Sequence, residues 1–195
     1  MPLADMLQSL TPSPPLIICM VLVISLVESL ALVGLLVPGV VLITTAASLA
    51  GHQDIGLAWL VGAGFIGAVL GDGISFSLGF RHREQVTQRW PLSQHPEWLG
   101  RGARFFERYG IWSVFIGRFV GPVRPIIPLV AGMMHMPPRT FVWANLTSAA
   151  LWAPAYVLPG YLLGRTWQHH LNLPPGLETA LLILAAIVVV LAVIF

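Results

Sequence analysis

The chain reads as an all-α integral membrane protein of two inverted repeats. Each repeat is a re-entrant broken helical hairpin plus a transmembrane helix, with an additional C-terminal transmembrane helix. Three observations predict this. Of 195 residues, 56% are hydrophobic and only 9% charged, with mean hydropathy +0.83. Soluble domains carry about 25% charged residues, so the surplus apolar surface needs lipid. Two apolar blocks are interrupted by proline and glycine, which forbid an unbroken helix. Landmarks also recur: Ala50-Gly51 and Ala131-Gly132 are 81 residues apart, and Gly79 and Gly164 are 85 apart.

The elements follow in chain order. Residues 1–15 (MPLADMLQSLTPSPP) form an N-terminal segment without a basic region, so no cleavable signal peptide is expected. The membrane domain covers residues 16–165. Repeat one, about 16–80, opens with an apolar block over 16–51 that holds Glu28 and the Pro38-Gly39 break. A span needs about 20 residues and two spans with a turn need more than about 40, so this block fits neither. The dozen residues VVLITTAASLAG after the break predict a re-entrant segment. Residues 56–80 are long enough to span and contain Asp72.

The polar loop 81–109 holds Arg81, Arg83, Arg89, Arg101, Arg104 and Arg108. The positive-inside rule makes it cytoplasmic. From about Glu97, the spacing of Trp98, Phe105 and Phe106 predicts an interfacial amphipathic helix. Repeat two, about 110–165, opens with a segment containing GRFVGPVRPIIPLVAG, in which Pro122, Pro125 and Pro128 are expected helix breaks, as Pro38 and Gly39 are in repeat one. A span over 139–164 follows, and a last one lies within 176–195. An odd number of crossings per unit inverts the second copy. Broken helices in matching positions of inverted repeats point to a binding site at the membrane midplane.

Several chemistries are disfavoured. The single Cys19 sits in an apolar run, so neither a disulfide framework nor a thiolate metal site is expected. All ten basic residues are arginine, placed by topology rather than for nucleic acid. Gly62-Ala-Gly-Phe-Ile-Gly67 matches a dinucleotide fingerprint, yet no strand precedes it and the setting is a span. Helix packing explains Gly67-x-x-x-Gly71, Gly117-x-x-x-Gly121 and Gly160-x-x-x-Gly164 better. The six histidines lie at span ends or loops, and no HExxH or nucleophile elbow occurs. No metal, cofactor or enzymatic activity is expected.

Four charges stand inside or beside apolar segments: Glu28, Asp72, Arg118 and Arg124. Each costs roughly 2.5–3.5 kcal/mol there on insertion scales. One reading is that they pair and brace the bundle. The other is an anion site, since a broken helix frees N–H groups and guanidinium forks suit phosphate. Burial and a neighbouring arginine act oppositely on a carboxylate, so anion binding and protonation can be coupled. Asn145 is a further candidate, for the headgroup or for an interhelical bond.

At these residues the chain resembles the DedA family of bacterial inner-membrane proteins, in the SNARE-associated or VTT-domain superfamily. Matching positions are Arg118, Pro122, Arg124, Pro128, Ala131-Gly132, Met136, Phe141, Asn145, Trp152 and Gly160-Tyr161-x-x-Gly164. Glu28, Pro38-Gly39, Gly71-Asp72 and Gly79 agree in the first half, and the YabI-like branch is the nearest. The resemblance implies paired re-entrant hairpins meeting at the bilayer centre and lipid movement across the bilayer. It also implies links to undecaprenyl phosphate recycling, phospholipid translocation and proton-motive-force-dependent envelope fitness. Many members carry an acid directly after the first Pro-Gly, where this chain has Val40. Asp72 then takes its place, or the protein is an uncoupled scramblase.

The expected function is a flippase or scramblase for a phosphate-bearing lipid, undecaprenyl phosphate or a phospholipid, in the bacterial inner membrane. Arg118, Arg124 and Asn145 would bind the headgroup, with Glu28 and Asp72 as proton carriers or charge partners. The expected partners are an anionic lipid and protons, with a homo-oligomer left open and nucleic acid not expected. A membrane-embedded lipid phosphatase and a non-transporting envelope scaffold are the alternatives. Arg124-Pro125 faintly matches a phosphatase signature, but its nucleophile-and-histidine motif is absent.

Overall fold

A computed structural model describes residues 12–31, 33–34, 37–82, 96–120 and 124–170. The expectations for residues 1–11, Arg83, Arg89, Pro122 and the C-terminal helix within 176–195 fall outside these. The described residues form seven helices and no strand: α1 Pro14–Glu28, α2 Gly39–His52, α3 Leu57–Arg81, α4 Pro96–Tyr109, α5 Trp112–Gly117, α6 Ile126–Met133 and α7 Pro138–His170.

Helix α1 starts on Pro14-Pro15, where a missing N–H costs nothing and φ is already helical. Helix α2 starts just after Pro38. At about 1.5 Å per residue the two are about 22 and 21 Å long, short of a hydrocarbon core of about 30 Å. They run antiparallel. Gln53 Nε2 donates to the Pro12 carbonyl at 3.2 Å at one end, and the Glu28 side chain packs on Gly39 at the other.

Among the described residues two helices are long and apolar enough to cross a membrane, Leu57–Arg81 and Pro138–Thr166. Both turn large apolar side chains outward: Trp59 is 71% exposed, Trp143 69% and Leu163 62%. Water would penalise such a surface, and lipid would not. Pro154 and Pro159 lie within α7 without ending it, as membrane helices tolerate.

Glycines set the crossings between the two halves of the chain. A Cβ at Gly164 would run into the Ser48 carbonyl and one at Gly51 into that of Tyr161, so α2 and α7 touch through backbone. In the same way Gly132 meets the Phe76 carbonyl and Gly79 that of Leu129, where α6 crosses α3. The second helix of each broken block thus packs on the long helix of the other half. Gly67 and Gly71 bring α3 against the α1 backbone, the close approach that small-x-x-x-small spacing permits.

Both α2 and α6 end in the same turn. Asp54 and His135 take φ of 52° and 54°. Ile55 N–H donates to the Ala50 carbonyl and Met136 N–H to that of Ala131, each at 3.0 Å. This six-to-one bond with a left-handed residue before it is a Schellman stop. Ile55 and Met136, the residues that close it, are both buried.

The blocks differ elsewhere. Helices α5 and α6 have six and eight residues against the fifteen and fourteen of α1 and α2. Pro125 is the N-cap of α6, and its ring keeps the helix from starting earlier. Pro128 is a correction to the sequence reading: it lies in the first turn of α6 rather than at a break. That turn has no intrahelical partner for its N–H groups, so proline fits there. The amphipathic helix expected from about Glu97 is α4. Gly102 seats it on Val130 and Ile126 of α6.

Candidate functional site

The four charged residues converge in the interior as two ion pairs. Arg118, the C-cap of α5, donates through Nη2 to Asp72 Oδ2 of α3 and to Asn145 Oδ1 of α7. Arg124, in the short stretch before α6, donates through Nη1 to Glu28 Oε1 at the end of α1. Exposure is 4% for Arg118, 8% for Arg124, 5% for Glu28 and 6% for Asp72. By its place in α3, Asp72 lies about 22 Å from one end of the helix and about 14 Å from the other.

Local sequence explains each placement. Arg118 and Arg124 are free of a common helical period because α5 ends at Gly117 and α6 begins at Ile126. Gly39 is needed beside Glu28, since a Cβ there would strike the carboxylate. That contact is what the Pro38-Gly39 pair supplies. Val40 is 37% exposed. Asn145 is tied from its other side, with Nδ2 donating to the Val69 carbonyl at 3.1 Å.

Sequence reading under-weighted two further features. Trp152, noted there only as a position matching the family, is fully buried, and the Arg124 guanidinium carbon sits 4.2 Å above its ring centroid. Ser75 accepts from Ala31 N–H at 2.9 Å and donates toward the Ser29 carbonyl at 3.1 Å, fastening the turn after α1 to α3. The polar residues Ser25, Glu28 and Ser29, spaced three and four apart at the end of the otherwise apolar α1, are the signal that could have found it.

Pairing does not exhaust the polar groups. Arg118 Nη1, Arg124 Nη2 and Glu28 Oε2 are buried and have no hydrogen-bond partner among the described residues. Buried guanidinium nitrogens normally find acceptors. Both arginines therefore keep donor capacity for a further oxygen ligand. No cluster of metal-ligating side chains occurs among the described residues.

Comparison with known proteins places this architecture. Residues 37–162 match the VTT domain family. The Escherichia coli inner membrane protein YabI is 38% identical over 82% of this chain and 61% of its own length. An uncharacterized membrane protein of Buchnera aphidicola subsp. Baizongia pistaciae is 35% identical over 94% of this chain and 72% of its own. The protein DedA of Escherichia coli is 31% identical over 65% of this chain and 59% of its own. The chain thus spans about three fifths of YabI and DedA. No solved structure matches it. A mostly apolar helical bundle, two helices long enough to span, and these relatives together make the chain a membrane protein of the VTT-domain family that includes DedA, and a YabI-like one.

Proposed function

We propose that the protein moves a phosphate-bearing lipid, undecaprenyl phosphate or a phospholipid, across the bacterial inner membrane. The observation that carries this reading is the pair of interior arginines, each held by a carboxylate and each with one nitrogen that has no partner among the described residues. A carboxylate partner stabilises an arginine at depth while no lipid is present. A phosphate offers more oxygens than one carboxylate and engages the planar fork in two places. Protonation of Glu28 or Asp72 would weaken its pair and hand the guanidinium to phosphate, which couples the exchange to protons.

In this reading α1–α2 and the α5–α6 block are re-entrant hairpins of an inverted pair of repeats. The exchanged glycine crossings and the twin Schellman turns at Asp54 and His135 support it. The chain moves the lipid without altering it covalently. Purified protein in liposomes tests this by measuring flipping of undecaprenyl phosphate and phosphatidylethanolamine, with phosphate release followed in parallel. Flipping without release is expected. Release would mark a lipid phosphatase, and neither signal would mark a scaffold.

A further inference from the structure

Two clefts lie along the outer face of α3. One of about 240 Å³ opens between α3 and α7, with Phe141 and Asn145 on its α7 wall. The other, a shallow hollow of about 510 Å³ whose described lining residues all belong to α3 and its C-cap, follows that helix to Arg81 and His82. They share Val69, Gly73 and Ser77, so they form one groove from the polar end of α3 to Asn145. Asn145 is the residue that accepts from Arg118.

We infer that this groove is the track by which a phospholipid headgroup passes between the membrane surface and the Arg118–Asn145 pair, its acyl chains remaining in the bilayer. The inference rests on the transport reading above and adds the route. Charge is complementary at the two ends: Arg81 and His82 stand at one mouth, Arg118 is bonded to Asn145 at the other, and no acidic side chain lines either cleft among the described residues. The reach also fits. Arg81 to Asp72 is nine residues of helix, about 14 Å, close to half of a hydrocarbon core of about 30 Å.

Gly73 marks the centre of the track. A glycine inside a helix costs about 1 kcal/mol relative to alanine. At Gly67, Gly71 and Gly79 close backbone contact offsets that cost. At Gly73 a Cβ would meet nothing within 4 Å among the described residues, so their packing gives no reason for glycine there. An open groove does. Gly62 on the same helix is equally open but lines neither cleft, which makes it a matched control.

The test modifies protein that is already folded. In a Cys19→Ser background, which removes the one native thiol, Gly73→Cys and Gly62→Cys are reconstituted into phosphatidylethanolamine–phosphatidylglycerol vesicles. Both are then treated with a benzyl methanethiosulfonate. Flipping of fluorescent phosphatidylglycerol is followed before treatment, after it, and after reductant. Modification of Gly73→Cys should slow flipping by about tenfold or more, a barrier increase of about 1.4 kcal/mol. Reductant should restore the rate, and modified Gly62→Cys should stay within about twofold of its untreated rate, a difference of about 0.4 kcal/mol. Equal rates before and after complete labelling of Gly73→Cys overturn the track while leaving the transport reading intact. A Cys19→Ser protein that flips undecaprenyl phosphate but no phosphatidylglycerol overturns the track alone, and one that flips neither overturns both.

Discussion

Replacing the Glu28–Arg124 pair as a unit separates bracing from ligand binding. Arg124 is 8% exposed and its only ion-pair partner among the described residues is Glu28. Glu28→Leu alone leaves a buried cation uncompensated, a loss of about 3–5 kcal/mol. The stacking on Trp152 at 4.2 Å survives in that variant, and a desolvated cation–π contact of about 2 kcal/mol places the expected loss near the lower end. The double variant Glu28→Leu/Arg124→Met removes both charges. Replacing a buried pair by apolar groups is often neutral or stabilising by about 1–4 kcal/mol, and the lost stacking opposes that by about 2 kcal/mol. Its stability should therefore lie within about 2 kcal/mol of the parent.

Transport should behave differently. Each charge-assisted hydrogen bond to phosphate contributes about 1.5–3 kcal/mol. With about 1.4 kcal/mol per factor of ten, flipping should fall by about 10- to 150-fold in the double variant. Tryptophan fluorescence during unfolding in mixed micelles reads the stability, and fluorescent-lipid flipping in liposomes reads the rate. A double variant that flips like the parent would reduce the pair to a brace. A double variant as unstable as Glu28→Leu would refute the uncompensated-charge argument.

Three further outcomes are expected. Arg118→Lys and Arg124→Lys keep the charge but lose the fork, so each should impair flipping while the protein still folds; full activity in both, or full rescue on exchanging Arg118 with Asp72, would favour a purely structural pair. Glu28→Gln should abolish the response of flipping to a pH gradient while lipid binding persists, and a wild-type protein already indifferent to the gradient would refute proton coupling through Glu28. Gly164→Leu should destabilise by about 1–3 kcal/mol or more, because its Cβ meets the Ser48 carbonyl rather than a movable side chain; an unfolding midpoint equal to the parent's would contradict the α2–α7 crossing.

Much of the fold was legible because it depends on local composition. Pro38-Gly39 and Pro125 act on their own backbone, so the starts of α2 and α6 could be read from the chain. The amphipathic α4 followed from the spacing of its aromatics. Asp54 and His135 were not legible as helix stops, since neither is the glycine that usually marks a left-handed turn. The length of α5 and α6 was also hidden, and Pro128 misled because a proline signals a break only when its position in the helix is known.

The sequence by itself determined a lipid-dissolved helical bundle with four interior charges, because burial of so apolar a chain and the penalty on charge at depth need no knowledge of packing. It also determined the family, through ordered matches across both halves. Only the tertiary structure decided which acid holds which arginine. Arg118 and Asp72 are 46 residues apart, and Arg124 and Glu28 are 96 apart. It likewise decided that Trp152 lies beneath Arg124 and that Gly73 lines an open groove. Those partnerships depend on which helix faces which, and that is set by where glycines let backbones touch, a condition that two distant segments satisfy jointly and neither expresses alone.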